Sequence, residues 1–152
     1  MTEELALRAK KVVAVEIDEK LRDLHKETLD IENVKVIYGD FLELDLEKIA
    51  EEEFADEGFK VVANLPYYVT TPIIEKLLLS KVNLISITVM VQKEVAKRLA
   101  AQPGNKDYGS LSVFINYYTD CKYKFQVPSS VFMPKPNVDS AVVNLKMKER
   151  ED

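Results

Sequence analysis

The sequence predicts an α/β protein built on a mostly parallel β-sheet covered by helices on both faces, with an antiparallel edge. Three observations point there. Short aliphatic runs alternate with helical segments along the first hundred residues, the pattern of parallel strands joined by helical crossovers. The last two aliphatic runs follow one another with only a Pro-rich connector between them, which suits an antiparallel pair. The chain has 152 residues, 47% of them hydrophobic, enough for one domain with its own core.

The elements follow in order. The opening "ELALRAKK" reads as the end of a helix. "VVAVEI", Val12 to Ile17, is a short aliphatic run and is expected to be a buried strand. Asp18 can cap the helix after it, which brings Leu21, Leu24 and Leu29 near one face. "VKVIYGD", Val34 to Asp40, is a second strand, and residues 45–57 form an acidic helical segment. "KVVANL" is a third strand. Thr71 and Pro72 predict a helix start, a capping hydroxyl followed by proline at the first helical position, with the helix running to about Leu79. "ISITVMV", Ile85 to Val91, is a fourth strand, and "KEVAKRLAA" a helix. "QPGNKDYG" is a loop, "SLSVFINYYTD" a helix, and "KYKFQV" and "SAVVNLKM" the late strands, joined by "PSSVFMPKPNVD". The charged end "KMKERED" is expected to fray.

Composition excludes several chemistries. With one histidine, His25, and one cysteine, Cys121, there is no material for a thiolate metal cluster, a disulfide or a histidine-based triad. His25, on a charged helix, is expected at the surface, and Cys121 as a reduced, partly buried thiol. No apolar run approaches the roughly 20 residues of a membrane helix, and no signal peptide opens the chain, so a cytoplasmic protein without metal or membrane is expected. The net charge of −5 is unevenly placed. Residues 1–92 carry eleven Lys/Arg against nineteen Asp/Glu, and residues 93–150 carry ten against five. A basic second half suits an RNA-facing side. A solvated mixed surface accounts for the same charges, including Lys93, Lys97 and Arg98 in "QKEVAKR".

Ligands of open parallel sheets bind beyond the carboxyl ends of the strands. The first strand delivers Glu16 there, where a nucleoside-binding fold places its ribose acceptor. The second delivers Asp40 and Phe41, and Asp40 can accept from an adenine amine. Each acid also has a local reading, Glu16 as a charge at a helix start and Asp40 as a helix cap. The third strand ends in "NLPY", residues 64–67. The lone pair of an exocyclic base amine is delocalised into the ring. Two acceptors on its two hydrogens, the Asn64 side-chain oxygen and the Leu65 carbonyl, draw the nitrogen toward tetrahedral geometry and free that lone pair. Pro66 biases Leu65 toward an extended conformation and so aims its carbonyl. Tyr67 offers a face for the base, an effect of about 1–3 kcal/mol. Packing at a domain edge is the other reading of Tyr67, and the better one for Tyr68.

"VVAVEID", "VIYGDFLELD", "VVANLPYYVTTPII", "MVQKEVAKRL", "YGSLSVF" and "VPSSVFMPKPNVDSAVV" occur in the order and spacing of a known family. The chain resembles the small-subunit ribosomal RNA adenine N6,N6-dimethyltransferases, relatives of the erythromycin-resistance methyltransferases. The resemblance implies a class I methyltransferase-like (Rossmann-like) fold, S-adenosylmethionine as cofactor, and small-subunit rRNA or a pre-ribosomal particle as partner. It implies Glu16 at the cofactor ribose, Asp40 with Phe41 at its adenine, and Asn64 serving both cofactor and target. Asn64, Leu65, Pro66 and Tyr67 would hold the target amine and base. Phe132 would close the base's other side on a loop stiffened by Pro134 and Pro136. Core packing is the alternative for Phe132. An unpaired or flipped adenine is the expected substrate form.

The family's first strand, its glycine-rich loop and its C-terminal helical domain have no counterpart in the chain, so a partial catalytic domain over residues 1–152 is expected. A central buried strand of four or five large aliphatics contributes roughly 6–15 kcal/mol, against a whole-domain stability of about 5–15 kcal/mol. Its absence predicts either poor stability or a sheet repaired by direct re-pairing or by self-association through exposed edges. The alternatives are a catalytically silent RNA- or ribosome-binding fragment, and an adenine methyltransferase acting on large-subunit rRNA or DNA.

Overall fold

The computed structural model describes residues 1–55 and 57–149. The expected fraying at the C-terminus falls partly on residues 150–152, outside the described residues. The chain divides into two compact units, Met1–Glu53 and Phe54–Asp152.

In the first unit, α1 (Thr2–Ala6) precedes β1 (Val12–Glu16). A 3-10 turn and α2 (Arg22–Thr28) follow, then β2 (Val34–Tyr38) and α3 (Leu46–Phe54), whose last residue belongs to the second unit. β1 and β2 pair in parallel, Val12 opposite Val34 through Glu16 opposite Tyr38. The expectation that β1 is buried is corrected: Val12 is buried, whereas Val15 and Ile17 are exposed. The helix after Asp18 is shorter than its pattern suggested. Asp18 does accept from the Lys20 N–H, but it caps the 3-10 turn, and Leu24 faces solvent. The surface assignment of His25 is also corrected. It is half-buried, its Nδ1 2.9 Å from the Tyr38 hydroxyl, and the Arg22 guanidinium lies 4.2 Å from the centre of the same ring. Glu53, its side chain only 7% exposed, bridges Lys11 at 2.6 Å and Lys35, tying α3 to the starts of β1 and β2.

The second unit holds β3 (Phe59–Asn64), α4 (Thr70–Leu79), β4 (Leu84–Gln92), α5 (Lys93–Ala100), α6 (Ser110–Tyr118), β5 (Thr119–Val127) and β6 (Ser140–Met147). Its sheet has the order β3-β4-β6-β5. β3 and β4 are parallel, while β6 runs antiparallel to both β4 and β5. The α/β class and the late antiparallel pair are as expected. The single sheet is not: among the described residues, hydrogen bonding makes two sheets, one within each unit, with two parallel and two antiparallel pairings. β3 alternates half-buried and exposed residues and carries none that is buried. β5 begins at Thr119, earlier than "KYKFQV", because Thr119 is buried with its Oγ1 donating to the Ile115 carbonyl at the end of α6.

Period-two burial builds the core of this unit. Ile87, Val89 and Val91 of β4 and Ala141, Val143 and Leu145 of β6 are at most 1% exposed. α5 packs on β4, β5 and β6, and α6 packs on α5 and β5, adding Ala96, Leu99 and Ile115. Ser112 of α6 donates to the Arg98 carbonyl at 2.6 Å, and Asn116 donates to the Ala101 carbonyl, which fixes the two helices against each other. α4 buries Ile73, Ile74, Leu77 and Leu78 on one helical face.

Candidate active site

β3 ends at Asn64 within the second unit. There the alternation of the strand leaves Asn64 exposed and turns Leu65 inward, 7% exposed. The Leu65 N–H donates to the Met90 carbonyl at 3.3 Å, so this residue still follows the β4 register. Pro66 ends the pairing, and Tyr67 to Val69 form a turn into α4. The expected cap at Thr71 is corrected. α4 starts at Thr70, whose Oγ1 donates to the Pro66 carbonyl at 3.1 Å. Pro72 is the third helical residue, still in the turn where a missing N–H costs no intrahelical bond. The Pro66 carbonyl also accepts the Val69 N–H, so it is fully engaged. The Leu65 carbonyl and the Asn64 side-chain amide have no hydrogen-bond partner among the described residues.

Asn64 and Leu65 line a pocket of about 380 Å³ together with Pro66, Tyr67, Phe132, Pro134 and Pro136. Tyr67 is 44% exposed, and Phe132 is half-buried on the pocket wall. Tyr68, 83% exposed, does not line the pocket. The loop carrying Phe132 is held at its base by Asp139. The Asp139 carboxylate accepts from the Ser129 N–H at 2.8 Å and from the Gln126 amide at 2.7 Å. The Ser129 donor, helped by Gln126 and by the charge of Lys93, holds the Asp139 carboxyl below its ordinary range.

Met90, Met133 and Ser140 also line this pocket and were missed by sequence reasoning. Met90 was recoverable in principle, since parallel pairing with β3 sets it opposite Asn64. Met133 and Ser140 gave no comparable signal.

In the first unit, Glu16 and Asp40 close adjacent strands. The Gly39 N–H donates to the Glu16 carbonyl at 2.9 Å, and Gly39 has φ 153°, a conformation side-chain-bearing residues rarely adopt. Each acid already makes the local bond of its alternative reading: Glu16 Oε1 accepts from the Asp18 N–H and Asp40 Oδ1 from the Leu42 N–H, both at 2.9 Å. One oxygen of each carboxylate stays open, and a carboxylate has about four acceptor sites, so the local bond and a ligand bond are compatible. A half-buried ring, Phe41, adjoins Asp40. This donor set fits an adenosine moiety, with acceptors for hydroxyls and an amine beside an aromatic face. Arg22, His25 and Tyr38 cluster next to it, a grouping that the i, i+3 spacing of Arg22 and His25 could have signalled.

Among the described residues, no group of three or more His, Cys, Asp and Glu side chains is placed to hold a metal ion, and no helix is long and apolar enough to cross a membrane. Cys121 is partly buried, and burial pushes its thiol up to about 12.

Comparison with known proteins places the chain among close relatives. The family model for ribosomal RNA adenine dimethylase matches residues 1–152. A ribosomal RNA small subunit methyltransferase A from Geobacillus thermodenitrificans is 55% identical over 147 residues, covering 95% of this chain and 50% of the relative. One from Bacillus pumilus is 54% identical over 151 residues, covering 98% and 52%. Among solved structures, a dimethyladenosine transferase from Plasmodium falciparum superposes with TM-score 0.80 at 30% identity, covering 95% of this chain and 50% of that one. The 23S rRNA methyltransferase ErmE does so with TM-score 0.82 at 27% identity, covering 98% and 57%. The chain thus has the Rossmann-like class I methyltransferase fold, and it spans about half the length of the curated relatives it matches.

Proposed function

Since the chain belongs to the ribosomal RNA adenine dimethylase family, we propose that it carries the target-amine and cofactor-adenosine residues of a small-subunit rRNA adenine N6-dimethyltransferase. Residues 1–152 are read as part of that enzyme's catalytic domain. S-adenosylmethionine, when bound, supplies a methyl group activated by its sulfonium. Glu16 holds the ribose hydroxyls, and Asp40 takes the adenine amine beside Phe41. Asn64 and the Leu65 carbonyl accept the two hydrogens of the target N6, and Tyr67 and Phe132 hold the base between their rings. Neither acceptor is a base, so the proton released after transfer passes to water.

One observation carries this reading. At the end of β3 the Asn64 amide and the Leu65 carbonyl are both unpartnered, and they share a pocket with two aromatic rings. Polar groups at a strand end are usually paired, and here the neighbouring Pro66 carbonyl takes the two local donors. The sequence likeness to small-subunit methyltransferases supports the RNA substrate. A single, unpaired cysteine, Cys121, suits a reducing, cytoplasmic setting.

The test uses a short RNA with one unpaired adenine, followed by fluorescence of 2-aminopurine at that position. Tyr67→Ala should weaken binding by about 1–3 kcal/mol, roughly 5- to 150-fold, and Tyr67→Phe should bind as the parent does. Equal affinity for all three proteins sinks the assignment. Methyl transfer to small-subunit RNA, large-subunit RNA and DNA, compared side by side, separates the substrate classes.

A further inference from the structure

A second concave surface lies in the same unit, away from the Asn64 pocket. It is a groove of about 540 Å³ running over β5 and β6, the C-terminal part of α6 and the loop between α5 and α6. Four lysines line it, Lys122, Lys124, Lys146 and Lys148, against a single carboxylate, Asp120. Strand register explains part of the clustering. Lys122 pairs with Asn144 and Asp120 with Lys146, so these four side chains share the face opposite the buried Val143 and Leu145. Lys148 is spoken for, donating to the Asn116 carbonyl and lying 3.8 Å from Asp120. Lys122, Lys124 and Lys146 have no carboxylate within 4 Å among the described residues.

We infer that this groove binds the phosphodiester backbone of an RNA strand, at a site separate from the one that takes the target base. The inference rests on the RNA reading above and extends it to a second contact. Ser140 begins β6 on the wall of the Asn64 pocket, and Lys146 lies six residues further along. At roughly 3.3 Å per residue, the two sites are about 20 Å apart. A basic edge strand also discourages edge-to-edge pairing, and β5 is such an edge. That function accounts for Lys122 and Lys124. It leaves Lys146 unexplained, because β6 is an inner strand. A concave surface with three uncompensated ammonium groups matches a polyanion, and RNA is the polyanion the other pocket calls for.

The experiment measures RNA affinity of the 152-residue chain against salt concentration, using a small-subunit rRNA hairpin and a dinucleotide too short to span about 20 Å. Lys122→Gln/Lys146→Gln is compared with Lys122→Arg/Lys146→Arg and with Lys26→Gln/Lys48→Gln, a control pair in the first unit. Each phosphate contact contributes about −0.7 to −0.9 to the slope of log affinity against log salt. The glutamine pair should therefore flatten the hairpin slope by about 1.5, with unchanged binding of the short RNA. The arginine pair and the control should keep the parent slope. Parent-like hairpin binding by the glutamine pair overturns the groove while leaving the base site standing. Absence of RNA binding by the parent chain overturns both. Loss of binding to an acidic peptide, with the RNA slope unchanged, overturns it in favour of a protein partner.

Discussion

Replacing Leu46 by alanine should abolish the protection of β1 and β2 against hydrogen exchange while leaving β4 and β6 untouched. The magnitude comes from how buried apolar side chains are distributed. Among the described residues, only Val12 and Leu46 of the eighteen buried hydrophobic residues lie in the first unit. At about 1.5–3 kcal/mol each, they contribute roughly 3–6 kcal/mol toward ordering that unit. A Leu→Ala change at a buried site costs about 2–5 kcal/mol, most or all of that sum. Expressed as protection, the loss is roughly 30-fold to several thousand-fold. The assay is hydrogen-exchange mass spectrometry on the parent and on Leu46→Ala, reading peptides that cover residues 12–16, 34–38, 84–92 and 140–147. In the parent, the first two should already exchange before the last two. Since Glu16 and Asp40 close β1 and β2, opening of these strands also dissolves the acceptor pair. Exchange of residues 12–16 and 34–38 in the variant as slow as that of β4 would refute the reasoning.

Two further outcomes follow from the titratable groups. Asp139 has a lowered carboxyl, so its contribution to stability is present above its ordinary value of 3.8 and is lost as pH falls through the lower folded value. The difference in stability between the parent and Asp139→Asn, measured by chemical denaturation from pH 6 downward, should therefore shrink below that range; a difference that stays constant refutes the role. Cys121, with its thiol pushed up to about 12, should resist iodoacetamide at pH 8.5 in the native chain and react once urea unfolds it. Native labelling at the unfolded rate would show that the thiol is not buried.

Much of this fold was legible because its elements carry strong local signals. The β6 segment "SAVVNLKM" corresponds to Ser140–Met147 residue for residue, since alternating burial and flanking polar residues fix both ends. The Thr71 cap was misread because the signal, a hydroxyl before proline, is local, whereas α4 begins one residue earlier, at Thr70, which donates back to the Pro66 carbonyl. Burial of β1 was overestimated for a related reason. An aliphatic run shows what a strand could bury, but the neighbours that cover it are set by pairing, and β1 has β2 as its one hydrogen-bonded neighbour among the described residues. At the candidate site, "NLPY" was readable because proline and amide have few other reasons to follow a strand. The grouping of Phe132 with Asn64 came from family likeness, and Met133 and Ser140 join that pocket by tertiary placement, whereas Met90 follows from strand pairing opposite Asn64. His25 looked solvent-facing because its helix is charged, while its partner Tyr38 lies thirteen residues away in sequence.

The Asp139 carboxylate reaches back to Gln126 and Ser129, and its own carbonyl accepts the Lys93 N–H at 3.0 Å. One residue thereby stitches the end of β5, the root of the Phe132 loop and the first residue of α5. A segment tethered at both roots has little freedom left to surrender when a guest arrives. Recognition at this wall should then carry a small entropic penalty, with little of the guest's contact energy diverted into ordering the host.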